Sequence, residues 1–413
     1  MSSTQPQKLR LSVLDQSPVP AGFTPSDALA NSLSLARHVD ALGYTRLWYS
    51  EHHAMDLLAC TAPEILIARA AGATKNIRVG SGGVMLPHYA SLKVAEVFST
   101  LNAMFPNRID LGIGRAPGGG QLEAYALRRD RNAAHKDDFP QQLAELRAFL
   151  HPERWAQYAD AKGPHPFRNI RVMPTAQGAP DIWLLGSSMW SAATAAQEGL
   201  PYAFAHFFSP VQTRQAIEYY QANFQPTNRS TNTPGAPDPA SGTRASTEAP
   251  GQDSRTKAGA PDLSPLEIGA STEASGQDGR SKPEATLAVG VICAPTQEEA
   301  DHLHASVRLL QRRIRMDDRR PVATPEDAER ELAALPTAPN PLLAFTAGSL
   351  DAPEDNEWPR YFVGTPEKVA RQLRGMASEL HLNELIINTI THSHEARLRS
   401  YTLLAEAMAF QTT

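Results

Sequence analysis

Three short stretches carry residue types that do chemistry. Glu51-His52-His53 sets an acid and two imidazoles directly after the apolar run Leu47-Trp48-Tyr49. Arg115 closes the run Ile113-Gly114, and Gly186-Ser187-Ser188-Met189-Trp190-Ser191 packs three hydroxyls into six positions. An imidazole titrates near neutral pH and suits proton transfer, so His52 and His53 are candidates with Glu51 as support. Small hydroxyl residues opening a helix face its free N–H groups and its positive dipole end, which favours an anion. Arg115 can add a bidentate guanidinium to the same phosphate. The plainer alternative is a serine N-cap beside a surface arginine, and for the histidines an ordinary core imidazole.

Other residues are more equivocal. Gly80, Gly82 and Gly83 either let backbone pass close to a flat ligand or form a tight loop with none. His392-x-His394, with His52 and His206, could in principle hold a hydrolytic zinc ion. No Asp or Glu closes the end of the last strand as a further ligand, however; Glu395 falls in the helix that follows. Cys60 suits small apolar packing better than thiol chemistry. Neither G-x-G-x-x-G after the first strand nor G-x-x-x-x-G-K-[ST] occurs, which argues against a Rossmann or P-loop nucleotide site.

The elements that must position these residues alternate. Strands are expected at 9–14, after Gly43 through the motif at 47–53, and at 77–80, 109–114, 182–185, 202–205, 286–292 and 385–388, with helices between them. Thr24-Pro25-Ser26-Asp27 reads as a helix start, with a hydroxyl cap, proline at the first position and an acid in the first turn. Thr296 and Glu299 read as a capping box. Eight strand–helix units in one chain predict a (β/α)8 barrel, whose strand ends converge on one face. That face then collects Asp15, Gln16 and Ser17, the triplet Glu51 to His53, the glycines with His88, and Arg115. Gly186 to Ser188, His206, His392 and His394 complete it. His52 and His53, as strand neighbours, should point to opposite faces.

Two stretches break the alternation inside what otherwise reads as one domain over residues 1–413. Residues 226–283 are rich in Ser, Thr, Ala, Gly and Pro and contain a near-duplicate, Ala245-Ser246-Thr247-Glu248-Ala249 and Ala270-Ser271-Thr272-Glu273-Ala274. Such a segment buries too little apolar surface to offset its ordering entropy, so a disordered insertion is expected before the seventh strand. Residues 312–359, around Leu342-Leu343-Ala344-Phe345, are a candidate lid. Across all 413 residues the net charge is −5 and charged residues make up 20%, which gives no reason to expect nucleic acid or an anionic membrane as partner. Two cysteines are too few for a disulfide framework. A polar start without an apolar signal core, and no run of about 18 apolar residues, point to the cytoplasm.

In these motifs the chain resembles the bacterial luciferase-like flavin monooxygenases. The likeness is densest from Gly43-Tyr44 to Glu51-His52-His53, through Val79-Gly80 and Leu86-Pro87, and at Gly112-Ile113-Gly114-Arg115. It resumes at Gly186-Ser187-Ser188 and Val363-Gly364-Thr365-Pro366. The resemblance implies a TIM barrel that uses reduced FMN and O2 to oxidise a small organic substrate through a flavin hydroperoxide. NAD(P)H would supply the electrons, usually through a partner flavin reductase, and the assembly would be a homodimer. It places His52 beside the flavin, Arg115 and Ser187-Ser188 on the phosphate, and Gly82-Gly83 against the ring; Gly186 and Ser191 flank that phosphate turn. The reactive cysteine of luciferases just before the arginine is Gly114 here, so light emission does not carry over. A deazaflavin-dependent oxidoreductase on the same barrel, or a flavin-binding protein without turnover, are the competing readings.

Overall fold

The computed structural model describes residues 9–116, 118–127, 137–158, 163–175, 178–226, 280–334 and 358–409. Among these described residues there are nine strands: β1 (Arg10–Asp15), β2 (Arg46–Tyr49), β3 (Arg78–Met85), β4 (Ile109–Gly114), β5 (Asp181–Gly186), β6 (Tyr202–Ala205), β7 (Ala285–Cys293), β8 (Tyr361–Gly364) and β9 (Glu384–Asn388). Each pairs in parallel with its neighbour from β1 to β7, and β9 closes the ring between β7 and β1. The result is a closed eight-stranded parallel barrel. β8 lies outside it, on residues 290–293 at the upper end of β7. β7 is nine residues long, so its lower half belongs to the barrel and its upper half carries the extra strand.

The helices are α1 (Pro25–Ala41), α2 (Pro63–Ala73), α3 (Ser91–Met104), α4 (Gln121–Leu127), α5 (Phe139–Leu150), α6 (Met189–Gln197), α7 (Thr213–Asn223), α8 (Gln297–Arg315), α9 (Pro325–Ala334), α10 (Pro366–Glu379) and α11 (His394–Ala407). α1 starts as its residues dictate: Thr24 and Asp27 exchange both capping bonds behind Pro25. The Thr296 hydroxyl accepts from the Glu299 amide at 3.2 Å to begin α8. Outward-facing strand residues such as Leu11, Val13, Leu47 and Val79 are fully buried under these helices. No helix among the described residues is long and apolar enough to cross a membrane.

The barrel interior is layered. At the bottom, Arg46 donates to Glu384 (2.6 Å) and Asp110 (3.1 Å), and Ser12 donates to Glu384 (2.6 Å). Burial alone would raise the Asp110 carboxyl, but Arg46 and Arg78 outweigh it and hold it below the usual carboxylate range. Above this polar plug lies an apolar layer of Leu14, Trp48, Trp183, Ala203, Ala288 and Ile386. The mouth is above that.

Two departures from expectation bear on the mouth. β3 runs on to Met85, well past residue 80, through a break in register between Ser81 and Val84. The break falls on Gly82-Gly83, whose peptide bond is cis. β2 stops at Tyr49, so His52 and His53 lie in the following loop and strand alternation does not govern them. Of the two irregular stretches, residues 227–279 and 335–357 lie outside the described residues; within 312–359 the end of α8 and all of α9 are helical. The flanks of the first stretch are pinned to the end of α6, where Gln225 N donates to Ala196 O (2.9 Å) and Arg280 N to Gly199 O (3.4 Å).

Candidate active site

The loop after β2 is the best-braced part of the mouth. Glu51 is 1% exposed and takes three donors: the Met85 amide at 2.9 Å, the Tyr89 hydroxyl at 2.7 Å and His53 Nε2 at 2.8 Å. Burial and the adjoining carboxylate keep the Tyr89 phenol protonated well above its usual range, so it stays a donor. Glu51 therefore fastens the exit of β3 to the exit of β2, and of the two histidines it bonds His53. The same loop is tied to the exit of β4, where His53 N donates to Gly118 O at 3.0 Å. Arg319, downstream of α8, reaches back to Ala54 O and Glu123 Oε1, each at 3.0 Å.

His52 is held differently. Its amide donates to Cys60 O (3.0 Å), and its Nδ1 lies 3.0 Å from Ser50 Oγ. Nε2 has no hydrogen-bond partner among the described residues. Burial, then the nearby His53 imidazole, lowers its pKa to about 4. His52 is thus neutral near pH 7, with one ring nitrogen committed to Ser50 and the other available.

The second cluster joins β4 to α6. The Arg115 guanidinium stacks on the Trp190 ring at 4.4 Å, and Trp190 sits in the first turn of α6. Arg115 also meets the Asp137 carboxylate at 2.9 Å, both side chains being nearly half exposed. A pair this open is worth no more than about 1 kcal/mol, so a phosphate dianion can displace the carboxylate. Ser188 is the N-cap of α6, accepting from Ser191 N, and Ser187 lies half-buried before it. Ser191 is turned inward: its Oγ is 2.7 Å from Ser188 O and 2.9 Å from the Tyr202 hydroxyl. A Cβ on Gly186 would come within 2.3 Å of that Oγ, so Gly186 leaves room for Ser191.

Gly82 and Gly83 are required by the protein itself. A Cβ on Gly82 would lie 2.9 Å from Leu14 Cδ1, and one on Gly83 would lie 2.8 Å from the Gly112 carbonyl oxygen. Gly82 also borders a recess of about 60 Å3 in the barrel, walled by Leu14, Trp48, Leu185, Ala203 and Ala288.

Two of the other candidate histidines are spent elsewhere, whereas neither ring nitrogen of His394 has a hydrogen-bond partner among the described residues. His206 bonds Thr213 Oγ1 (2.8 Å) and Pro359 O (3.1 Å), and His392 Nε2 meets Ala21 O (3.0 Å). Among the described residues, no three His, Cys, Asp or Glu side chains form a group able to hold a metal ion. Asp15, counted from the sequence among mouth residues, is fully buried against Arg397 at 2.8 Å and ties α11 to β1. Sequence reasoning passed over three residues that shape the site: Ser50, Tyr89 and Trp190. Tyr89 and Trp190 are defined by partners from other elements, and Ser50 by the turn that brings its hydroxyl back onto His52 two residues on.

The chain matches the family described as luciferase-like monooxygenase over residues 9–258. It belongs to that family. The uncharacterised protein YwcH of Bacillus subtilis is 36% identical over 403 residues, covering 97% of this chain and 99% of that one. The N-acetyl-S-alkylcysteine monooxygenase of the same organism is 30% identical over 403 residues, with coverages of 97% and 98%. The crystal structure of apo-MsnO8 is similar with a TM-score of 0.74 at 39% identity, over 98% of this chain and 100% of that one. Two remote structures share the barrel alone. They are the oxygenating constituent of 3,6-diketocamphane monooxygenase from a Pseudomonas putida plasmid in complex with FMN, and an F420-dependent secondary alcohol dehydrogenase. Their TM-scores are 0.61 and 0.55, at 17% and 11% identity, each over at least 97% of both chains.

Proposed function

We propose that this luciferase-like monooxygenase binds reduced FMN at the barrel mouth and oxidises a small organic substrate with O2. Arg115 stacked on the first turn of α6, beside Ser187 and the Ser188 cap, carries this reading. It presents a guanidinium, hydroxyls and a helix N-terminus to one anion. The residues fit a flavin: Gly82 borders the recess, whose floor is apolar. When bound, the reduced flavin supplies two electrons to O2 and so the oxygen atom that reaches the substrate. The chain's own part is to hold the phosphate with Arg115 and Ser188 and to keep bulk water from the apolar floor. His52 Nε2 accepts or returns a proton, its tautomer set by Ser50. Glu51 and His53 keep that loop in register. NAD(P)H acting through a separate reductase, a homodimeric assembly and a cytoplasmic setting complete the proposal.

The test is an anaerobic titration with reduced FMN, followed by admission of oxygen. Saturable binding, then oxygen uptake that slows in His52→Ala, supports the proposal. Failure to bind FMN alongside tight binding of a deazaflavin would overturn it, and binding without oxygen uptake would leave a flavin carrier. Arg115→Ala should weaken FMN about 10- to 100-fold and riboflavin little, as expected for lost charge-assisted bonds to phosphate. Equal losses for both flavins refute the phosphate site.

A further inference from the structure

The recess in the barrel has a polar rim that nothing above has used. Leu14 and Ile386 form part of its wall. Two residues farther along the same strand faces stand Gln16 and Asn388, one layer nearer the mouth. Their carboxamides meet, Asn388 Nδ2 donating to Gln16 Oε1 at 2.7 Å. Asn388 is fully buried, yet its Oδ1 has no hydrogen-bond partner among the described residues. A buried amide oxygen left unsatisfied costs about 1–3 kcal/mol. A water would need two to four polar partners to fill the place, and the wall below is apolar.

We propose that this rim and recess form the substrate subsite, taking the short alkyl end of an uncharged molecule whose hydroxyl or amide N–H donates to Asn388 Oδ1. The recess sets the size. At about 60 Å3 it is well under the roughly 150 Å3 that encloses benzene, so it accepts a few carbons and not an aromatic ring. The rim sets the polarity. Asn388 Nδ2 is spent on Gln16, which leaves an acceptor; the buried cation nearby, Arg397, is already committed to Thr389 O and Asp15, each at 2.8 Å. A carboxylate or sulfonate would lose its hydration there without compensation. Specificity therefore has two separable parts, chain length read by Ala203 and Ala288 and a donor read by Asn388. That the bound molecule is the one oxidised rests on the proposed monooxygenase function; the binding preference does not.

Trp48 lines the recess, so tryptophan fluorescence of the full-length protein reports occupancy without flavin. Titrations with 1-pentanol, its acceptor-only isostere butyl methyl ether, and pentanoate compare donor, ether and anion on one frame. The expected order is alcohol tighter than ether by about five-fold, the worth of one neutral hydrogen bond, and pentanoate weakest. Asn388→Leu should erase the difference between alcohol and ether. Ala288→Leu, which grows into the recess, should weaken both about ten-fold. Equal affinities for alcohol and ether in the unaltered protein would overturn the proposal, as would Ala288→Leu leaving both unchanged. Should Asn388→Leu fail to fold by circular dichroism, Asn388→Ser serves in its place, and Ala203→Val replaces Ala288→Leu. An FMN titration run in parallel separates the two ideas: no FMN binding with the alcohol preference intact removes the oxygenase role and leaves the subsite.

Discussion

At the scale of single residues, the mouth divides into groups that brace and groups that face a ligand. Glu51 braces. Its three donors come from β2's own loop, from β3 and from Tyr89. Glu51→Gln is expected to lower unfolding free energy by roughly 1–3 kcal/mol in urea, since a carboxylate acceptor becomes a weaker amide. Tyr89→Phe should cost a similar amount. If Glu51→Gln left stability unchanged while abolishing turnover, the carboxylate would have a direct chemical role. His52 faces the ligand, and its imidazole proton resonances should titrate near pH 4, well below the usual 6.5. Its type and place at a strand end were legible in the sequence. Its partner Ser50 was not, because the end of β2 at Tyr49 changed which neighbours it meets.

At the scale of elements, the barrel strands were legible because each is a short apolar run bounded by turn residues and followed by a helical pattern. β8 was not. It is four residues long, and its pairing depends on β7 reaching beyond the barrel rim, which no local pattern encodes. The bulge in β3 was half legible: its glycines stood out, but the reason for them is the packing of β3 on β1, β2 and β4. Gly83→Ala would set a Cβ 2.8 Å from a backbone oxygen of β4, where no flexible side chain can yield. A loss of about 1–3 kcal/mol in urea unfolding is expected. An unchanged transition would show that the two strands can part there.

At the scale of the whole molecule, acid should be the chain's weak point. Burial lowers the pKa of His52, His206 and His394 to about 4 in each case. All three are neutral in both states above about pH 6.5, so their contribution is fully present there. As pH falls from 6.5 towards 4 the unfolded chain takes up protons that the folded chain refuses. Stability is then lost at up to roughly 1.4 kcal/mol per histidine for each pH unit. Urea midpoints at pH 7.5 and 5 measure this, and His206→Asn should shrink the fall; a flat profile would contradict it. The anchors of Gln225 and Arg280 on α6 bear on the insertion between α7 and β7. Replacing residues 227–279 with a short Gly/Ser linker should leave the thermal transition in place, and a collapse would show that the segment belongs to the folded core.

What the sequence by itself determined is the barrel and the residue types on its active face. Apolar periodicity and turn chemistry are local, and the parallel barrel is the compact way to bury eight such strand–helix units. Tertiary structure alone decided which groups are spent and which remain available. Ser191, Asp15 and Glu51 carry chemistry-bearing atoms that other elements have already claimed, whereas His52 Nε2 and Asn388 Oδ1 stay open at the mouth. A hydrogen-bond partner 11 to 382 positions away is a fact about space, and linear spacing carries no record of it.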